Sequence, residues 1–234
     1  CINAAGRLGD AKTSLEFLLE TDSFKANERA IGLLNINNTR KDMTEQGTKT
    51  AIELLETSDH LLMGAVPETG VAALSDRVLV MYIPKLHESL VGIIAGRIKE
   101  RYYRPVLLFT DSEEEGIIKG SGRSIEGYNM YDEINKCRDY FTKFGGHEMA
   151  AGFSMEKRNL TRLREKMNAN CTLDEKLLTP KLRIDVPMPL DYVSIPLTEE
   201  LEVLEPFGKG NEKPVFAQSG VRVKSARIMG KRQN

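Results

Sequence analysis

The stretch that most constrains this chain is residues 144–155, Phe-Gly-Gly-His-Glu-Met-Ala-Ala-Gly-Phe-Ser-Met. A glycine pair precedes a histidine, small residues follow, and an alternating apolar run leaves the segment. Glycine admits backbone with φ > 0 and lets a ligand approach the main chain closely. Successive amides in such a turn form an anion-binding nest. The stretch therefore predicts a tight turn at Gly145 and Gly146, followed by a strand. His147 donates and accepts hydrogen bonds. On the residues alone two readings stand side by side. One is a hairpin-like turn with a core-facing histidine. The other is a ligand-binding turn in which Ala150, Ala151 and Gly152 leave room for something to lie against the backbone.

The length of 234 residues suits one large domain or two small ones. A hydrophobic share of 41% supports a core, and charged residues at 29% sum to a net of −1, so any basic surface must be local. Cys1, Cys137 and Cys171 lack CxxC spacing, which gives neither a zinc site nor a disulfide framework and fits a reducing cytoplasm. The longest apolar runs, such as residues 90–95, are too short to span a bilayer, and no signal peptide is visible. The chain opens at Cys1 inside a motif and ends after a strand-like run, so it reads as a piece of a longer protein.

In chain order, residues 3–10 (Asn-Ala-Ala-Gly-Arg-Leu-Gly-Asp) read as a loop around Arg7. Asp10 is the expected N-cap of a helix over 11–20, where Leu15, Leu18 and Leu19 share a face. Two helices are expected over 23–34 and 40–55, the second polar in its first half as in helices that bridge domains. Strands are expected at 61–66 and 78–83, with a turn at 67–70 between them. A helix begins at His87 and stops at Pro105, with Gly92 and Gly96 allowing close packing. Arg97 on it suits either a phosphate contact or plain surface. A short buried strand follows at 106–109. After a solvated turn at 113–116, a strand over 117–121 delivers Ser121 and Arg123 to its end. A hydroxyl and a guanidinium fork suit a phosphate, and Gly120 and Gly122 clear space beside them. Helices are predicted over 130–141, with Tyr131, Ile134 and Cys137 on one side, and over 158–168.

The composition shifts at about residues 170–179. A strand is expected at 182–186, an acidic helix at 197–204, a glycine-bearing loop at 206–211, and strands at 215–216 and 221–229. From Phe207 onward Lys209, Lys213, Arg222, Lys224, Arg227, Lys231 and Arg232 stand against Glu212 alone. That balance suits a groove tracking a nucleic-acid backbone, with Phe207 or Phe216 for stacking. An ordinary basic strand pair has the same composition.

Four ordered blocks accompany or complete these features. They are residues 2–10, residues 87–97 followed by Glu100-Arg-Tyr-Tyr-Arg-Pro105, residues 119–127 (Lys-Gly-Ser-Gly-Arg-Ser-Ile-Glu-Gly), and residues 204–216. Together with 144–155 they resemble RecJ-type single-strand-specific exonucleases of the DHH phosphoesterase superfamily. The resemblance implies an α/β fold class. Residues 1–40 would end the DHH catalytic domain and 41–60 form a connector helix. Residues 61–170 would form the DHH-associated domain, a mixed sheet with flanking helices that binds substrate. Residues 171–234 would form a partial OB-like β domain that binds nucleic acid.

The same resemblance implies 5′-to-3′ hydrolysis of single-stranded DNA in repair and recombination. It also implies a cytoplasmic monomer with other DNA-repair proteins as partners and no membrane. Arg7, Ser121, Arg123, Gly145, Gly146 and Arg97 would grip substrate phosphate. His147 would be catalytic by donating to a phosphate oxygen, without ligating metal. The family commonly reads Trp-His-Glu-Gly where this chain has Leu86 and Ser89 in place of the Trp and the Gly. Mn²⁺ or Mg²⁺ would be the cofactor. Asp59-His60 is the nearest match to the family's metal-binding triplet but lacks its second histidine, so the metal ligands are expected upstream of Cys1. A DHH-type oligonucleotide or cyclic-dinucleotide phosphoesterase is the first alternative, against which the OB-like tail argues. A non-catalytic single-strand-binding module is the second. The related C-terminal domain of alanyl-tRNA synthetases is disfavoured by residues 3–10.

Overall fold

The computed structural model of the chain describes residues 1–60 and 74–227. It divides into two compact units, Cys1–Pro180 and Lys181–Asn234. The first unit opens with three helices, α1 (Ile2–Leu8), α2 (Lys12–Leu19) and α3 (Ser23–His60). Then come β1 (Leu79–Tyr82), α4 (Glu88–Tyr102), β2 (Val106–Asp111) and β3 (Ile117–Arg123). The unit is completed by α5 (Met130–Asn135), β4 (Phe141–His147), β5 (Ala150–Glu156) and α6 (Leu160–Asn170).

The five strands form one mixed sheet in the order β1-β2-β3-β5-β4. β1 and β2 are parallel, joined across α4, and every other pair is antiparallel. β1 and most of β2 are buried on both sides, which is why they read as unbroken apolar runs. Alternate residues separate into two cores. Val80, Tyr82, Leu107, Phe109, Ile118 and Phe153 pack with α5 and α6 on one face. Leu79, Met81, Val106 and Leu108 pack on the other with Leu90, Ile94 and Ile98 of α4 and with Ala51 and Leu55 of α3. Phe109 and Phe153 meet at 4.7 Å between ring centroids, joining β2 to β5 across β3. Beside β1, Asn168 of α6 completes the main-chain pairing of Val78: its amide accepts from the Val78 N–H at 3.0 Å and donates to the Val78 carbonyl at 2.9 Å.

Several elements differ from the sequence-based expectation. Residues 3–10 are not a loop, since Ile2–Leu8 is helical with Ala4 and Ala5 buried. Ala11 holds the N-cap position of α2, although the Asp10 carboxylate still accepts the Lys12 amide at 2.8 Å. Leu15, Leu18 and Leu19 share a face but remain 54%, 61% and 69% exposed, so that face is not part of the described core. The two helices expected over 23–55 are one helix of 38 residues, roughly 57 Å long. Residues 35–39 contain neither Gly nor Pro. Thr39 bonds back to the Asn35 carbonyl and Asn37 accepts from Arg40, so these side chains are satisfied within the helix and do not end it. Among the described residues no helix, α3 included, is long and apolar enough to cross a membrane.

The helix expected over 130–141 stops at Asn135 and continues as a 3₁₀ turn over Arg138–Tyr140. Phe141 instead begins β4, where a bulge between Phe141 and Lys143 lets Phe141 and Phe144 both meet the Phe153 side of the sheet. The strand at 61–66 and the turn at 67–70 lie outside the described residues.

In the second unit, β6 (Val186–Pro187) pairs in parallel with β7 (Phe216–Ala217). Between them is α7 (Ile195–Leu201), capped by the Ser194 hydroxyl, which accepts from Leu197 N–H. The strand predicted at 182–186 is thus reduced to its last residue and Pro187. Residues 221–227 are in no strand, while 228–229 lie outside the described residues. No described residue of this unit is fully buried, so alternation had no core face to fix it.

Candidate functional site

The glycine pair lies in a strand. Gly145 and Gly146 continue β4, and the reversal of the chain falls at Glu148–Met149. The expected turn at the glycines, and with it the amide nest, is replaced by an extended edge strand. The core-facing histidine is also overturned, because His147 is exposed. Its Nδ1 accepts from Met149 N–H at 3.3 Å. A neutral ring bonded in this way carries its proton on Nε2, which leaves that nitrogen a donor. Gly146 is needed for backbone contact: a Cβ there would lie 2.3 Å from the Ala150 carbonyl oxygen and 2.6 Å from Ala151 Cα.

The register of the three strands brings the predicted residues together. Ser121 pairs with Gly152, and Gly152 with Gly145. Arg123 pairs with Ala150, and Ala150 with His147. Paired residues share a face, and residues two apart along a strand repeat on it at about 7 Å. Ser121, Arg123, Gly145, Ala150, Gly152 and His147 therefore all occupy the face toward α4. Gly120 and Gly122 do not clear space beside them, as the sequence suggested. They face the other side, where a Cβ would strike Phe153 at 2.3 Å and Met130 at 3.0 Å respectively. Above Gly145 and Gly152, by contrast, a Cβ would meet nothing within 4 Å. Two glycines in paired strands cost about 0.5–1 kcal/mol each relative to Ala, and no described neighbour requires them. They make a bare backbone floor between Ser121 and His147.

Arg123 is held in place. Its Nη1 donates to the Ser121 hydroxyl and to the Gly122 carbonyl, both at 2.7 Å. α4 passes directly over it at Gly92, where a Cβ would lie 2.4 Å from Arg123 Nη2 and 3.0 Å from Ser121 Oγ. Gly96, expected to serve the same purpose, has nothing within 4 Å of its Cβ position. Arg7 reaches the same place from α1, donating to the Ser89 carbonyl in the first turn of α4 at 3.0 Å. Burial, and secondarily the charge of Arg7, lower the pKa of Arg123 below the ordinary guanidinium value. Among the described residues no carboxylate pairs with either arginine. Two neighbouring cations, one half-buried, define a place that favours an anion.

Arg97 is not brought to this place. It is exposed, about 140° around α4 from Gly92. In the second unit, Lys209, Lys213, Arg222, Lys224 and Arg227 are all exposed, and Lys213 Nζ lies 5.4 Å from the Phe207 ring centroid. Glu202 and Glu205 line the same hollow, so it is less uniformly basic than the tail's composition implies. Among the described residues no three His, Cys, Asp or Glu side chains gather into a metal site. These residues do not fit a resident Mg²⁺ or Mn²⁺, and no chemical step through a metal is assigned to them.

Sequence reasoning missed Lys119, Lys143 and Ser154, which extend the same face by one further row. The signal was present. Lys-x-Ser-x-Arg at 119–123 and Lys-x-Gly-x-His at 143–147 both repeat with the period of a strand, once 143–147 is read as strand and not as turn.

Residues 75–172 match the family model of the DHHA1 domain and residues 184–234 that of the RecJ OB domain, together more than half of the chain. The chain belongs to the RecJ family. It is 31% identical over 231 residues to the single-stranded-DNA-specific exonuclease RecJ of Bacillus subtilis, covering 98% of this chain and 28% of that protein. The enzyme of the same name from Escherichia coli is 34% identical over 241 residues, covering 99% of this chain and 39% of that protein. The crystal structure of RecJ from Thermus thermophilus in complex with Mg²⁺ superposes with a TM-score of 0.70 at 28% identity, over 92% of this chain and 31% of that one. The chain thus spans less than two-fifths of the length of these RecJ relatives.

The role of Gly92 in the RecJ-family fold is testable. Gly92→Ala places a methyl against side-chain atoms, the Arg123 guanidinium and the Ser121 hydroxyl, not against backbone. The expected outcome is a change in folding stability below ~1 kcal/mol in thermal unfolding. In a structure of the variant the Arg123 guanidinium should be shifted away from residue 92, because the added methyl would otherwise lie 2.4 Å from its Nη2.

Proposed function

We propose that this chain is the substrate-gripping part of a 5′-to-3′ single-stranded-DNA exonuclease that acts in DNA repair and recombination. The observation that carries the reading is the convergence of Arg7 and Arg123 beside the Ser121 hydroxyl, with no described carboxylate to neutralise them. In this reading Ser121 and Arg123 hold a phosphate near the 5′ end of the strand, and Arg7 closes the pocket from α1. The bare floor of Gly145 and Gly152 admits the strand's backbone, and His147 donates from Nε2 to a phosphate oxygen. Mg²⁺ or Mn²⁺, which the related RecJ crystal structures contain, would be held by parts of the protein outside this chain. Family membership and the shared architecture support the reading.

The test of end recognition compares Arg123→Ala on strands bearing a 5′-phosphate and a 5′-hydroxyl. A selective loss of about ten- to a hundred-fold on the phosphorylated strand is expected. Equal weakening of both would make Arg123 a general backbone contact.

The basic tail would track the strand without reading its sequence. Removing residues 208–234 should weaken binding of long strands more than of dinucleotides. The log–log salt slope should fall by about 0.7 for each phosphate that the tail no longer grips. An unchanged slope would leave those lysines and arginines as solvated surface.

For His147, the informative pair of measurements on the whole protein is turnover alongside Mn²⁺ affinity. His147→Ala should slow hydrolysis by about a hundred-fold with metal affinity nearly intact, and His147→Gln should recover part of the rate. Loss of metal affinity would make His147 a ligand instead.

A further inference from the structure

The face that carries Ser121, Arg123 and His147 does not end with them. One row further from Arg123, Lys119 pairs with Ser154, and Ser154 pairs with Lys143. The three rows form a grid. Its centre is Gly152, its edges are Ser121, Gly145, Ala150 and Ser154, and its corners are Lys119, Arg123, Lys143 and His147. Three corners are cationic, and the fourth becomes so on protonation. The two lysines stand about 10 Å apart at Cα, two strand spacings, with the Ser154 hydroxyl between them. A lysine side chain is long enough for both ammonium groups to meet one anion above Ser154.

This row also borders a hollow. A cavity of about 240 Å³ is lined by Glu88, Val91, Lys119, Ser121, Gly152 and Ser154 among others. Its one acid, Glu88, comes from the first turn of α4, and its carboxylate bonds Lys119 Nζ at 3.1 Å. Both partners are exposed at their charged ends, where such a pair is weak and readily exchanged. Among the described residues no carboxylate pairs with Lys143, which is exposed at the edge of the sheet.

We propose that Lys119, Ser154 and Lys143 form a second anion seat, which takes an internal backbone phosphate of the same strand whose end phosphate is held by Ser121 and Arg123. The proposal rests on the functional reading above and extends it. Glu88 competes for the seat: its carboxylate holds Lys119 until a phosphate exchanges for it. The Gly145–Gly152 floor joins the two seats, and its lack of side chains lets the sugar-phosphate backbone pass from one to the other. Two seats about 7 Å apart along one face make this domain read a strand of more than one phosphate, not a terminal phosphate alone.

The test uses this chain and short 5′-phosphorylated single strands labelled at the 3′ end, titrated by fluorescence anisotropy. In a companion set of strands each internal linkage in turn is a neutral methylphosphonate. The double variant Lys119→Gln/Lys143→Gln should bind the fully charged strand about tenfold more weakly. That deficit should shrink below about twofold for one particular internal neutral linkage, since the charge that the lysines would meet is absent there. Glu88→Gln, which removes the competitor and keeps the lysines, should tighten binding of the fully charged strand. A deficit that is the same on every strand, or no deficit at all, overturns the seat, as does the wild-type chain failing to bind. Arg123→Ala, titrated with and without the 5′-phosphate, separates the two claims. If it shows end dependence while the lysine pair shows no linkage dependence, only the second seat fails. If it shows no end dependence, the functional reading fails, whatever the lysines do.

Discussion

The arrangement depends first on the pairing register of β3, β5 and β4. Phe153 packs against Phe109 across β3, and Gly120 exists because a side chain there would overlap the Phe153 ring. That aromatic contact fixes which residues of β3 and β5 face the core. A slip of one residue would turn Phe153 and Ile118 outward and drive Ser121 and Arg123 into the interior. The polar face is thus specified by burial on the opposite face. Its six site positions need no interaction among themselves to be aligned, because the pleat aligns them. This explains how two glycines can be accommodated in the middle of it: the register is held elsewhere.

A second layer of control comes from close helix approach. Gly47 lets α4 lie against α3, where a Cβ would sit 2.6 Å from Ile94 Cδ1. Gly92 lets the opposite side of α4 lie against Arg123. α4 is therefore held between the long helix and the sheet, with its first turn at the edge of the polar face. That position brings the Ser89 carbonyl to Arg7 and the Glu88 carboxylate to Lys119. Arg7 and Arg123 are placed by separate elements, which is how two like charges come to be close without a shared partner. A fold selected for stability alone would put an acid between them. Two arginines left unneutralised at one place are what the proposed phosphate site calls for.

Much of this was legible in the sequence, for reasons that differ by element. β1 and β2 are buried on both faces, so an unbroken apolar run identified them. α4 (Glu88–Tyr102) follows its N-cap His87 and stops short of Pro105, as its boundary signals require. Ser121 and Arg123 could be read as a hydroxyl and a guanidinium suited to phosphate beside glycines, whereas the phosphate roles expected of Arg7 and His147 came from the family resemblance. Residues 3–10 were misread because glycines suggested a loop, whereas Ala4 and Ala5 bury a helical face. The interruption at 35–39 was misread because Asn and Thr favour caps and turns, yet here their side chains bond within the helix. In the second unit, alternation predicted longer strands than are present, since no described residue there is buried deeply enough to hold a face inward.

What the sequence by itself determined is chemistry and local type: which side chains are available for an anion, and where continuous apolar runs must be strands. What only the tertiary structure decided is their juxtaposition. Whether Gly145 and Gly146 turn or extend depends on the backbone of Ala150 and Ala151, against which Gly146 is packed too tightly for any side chain. Whether Lys119 and Lys143 share a site depends on β5 lying between β3 and β4, although it follows both in the chain. Strand pairing is a non-local choice, made by whichever register buries the most apolar surface. The period of two is written in each segment alone, but the partner that gives it a common face is not.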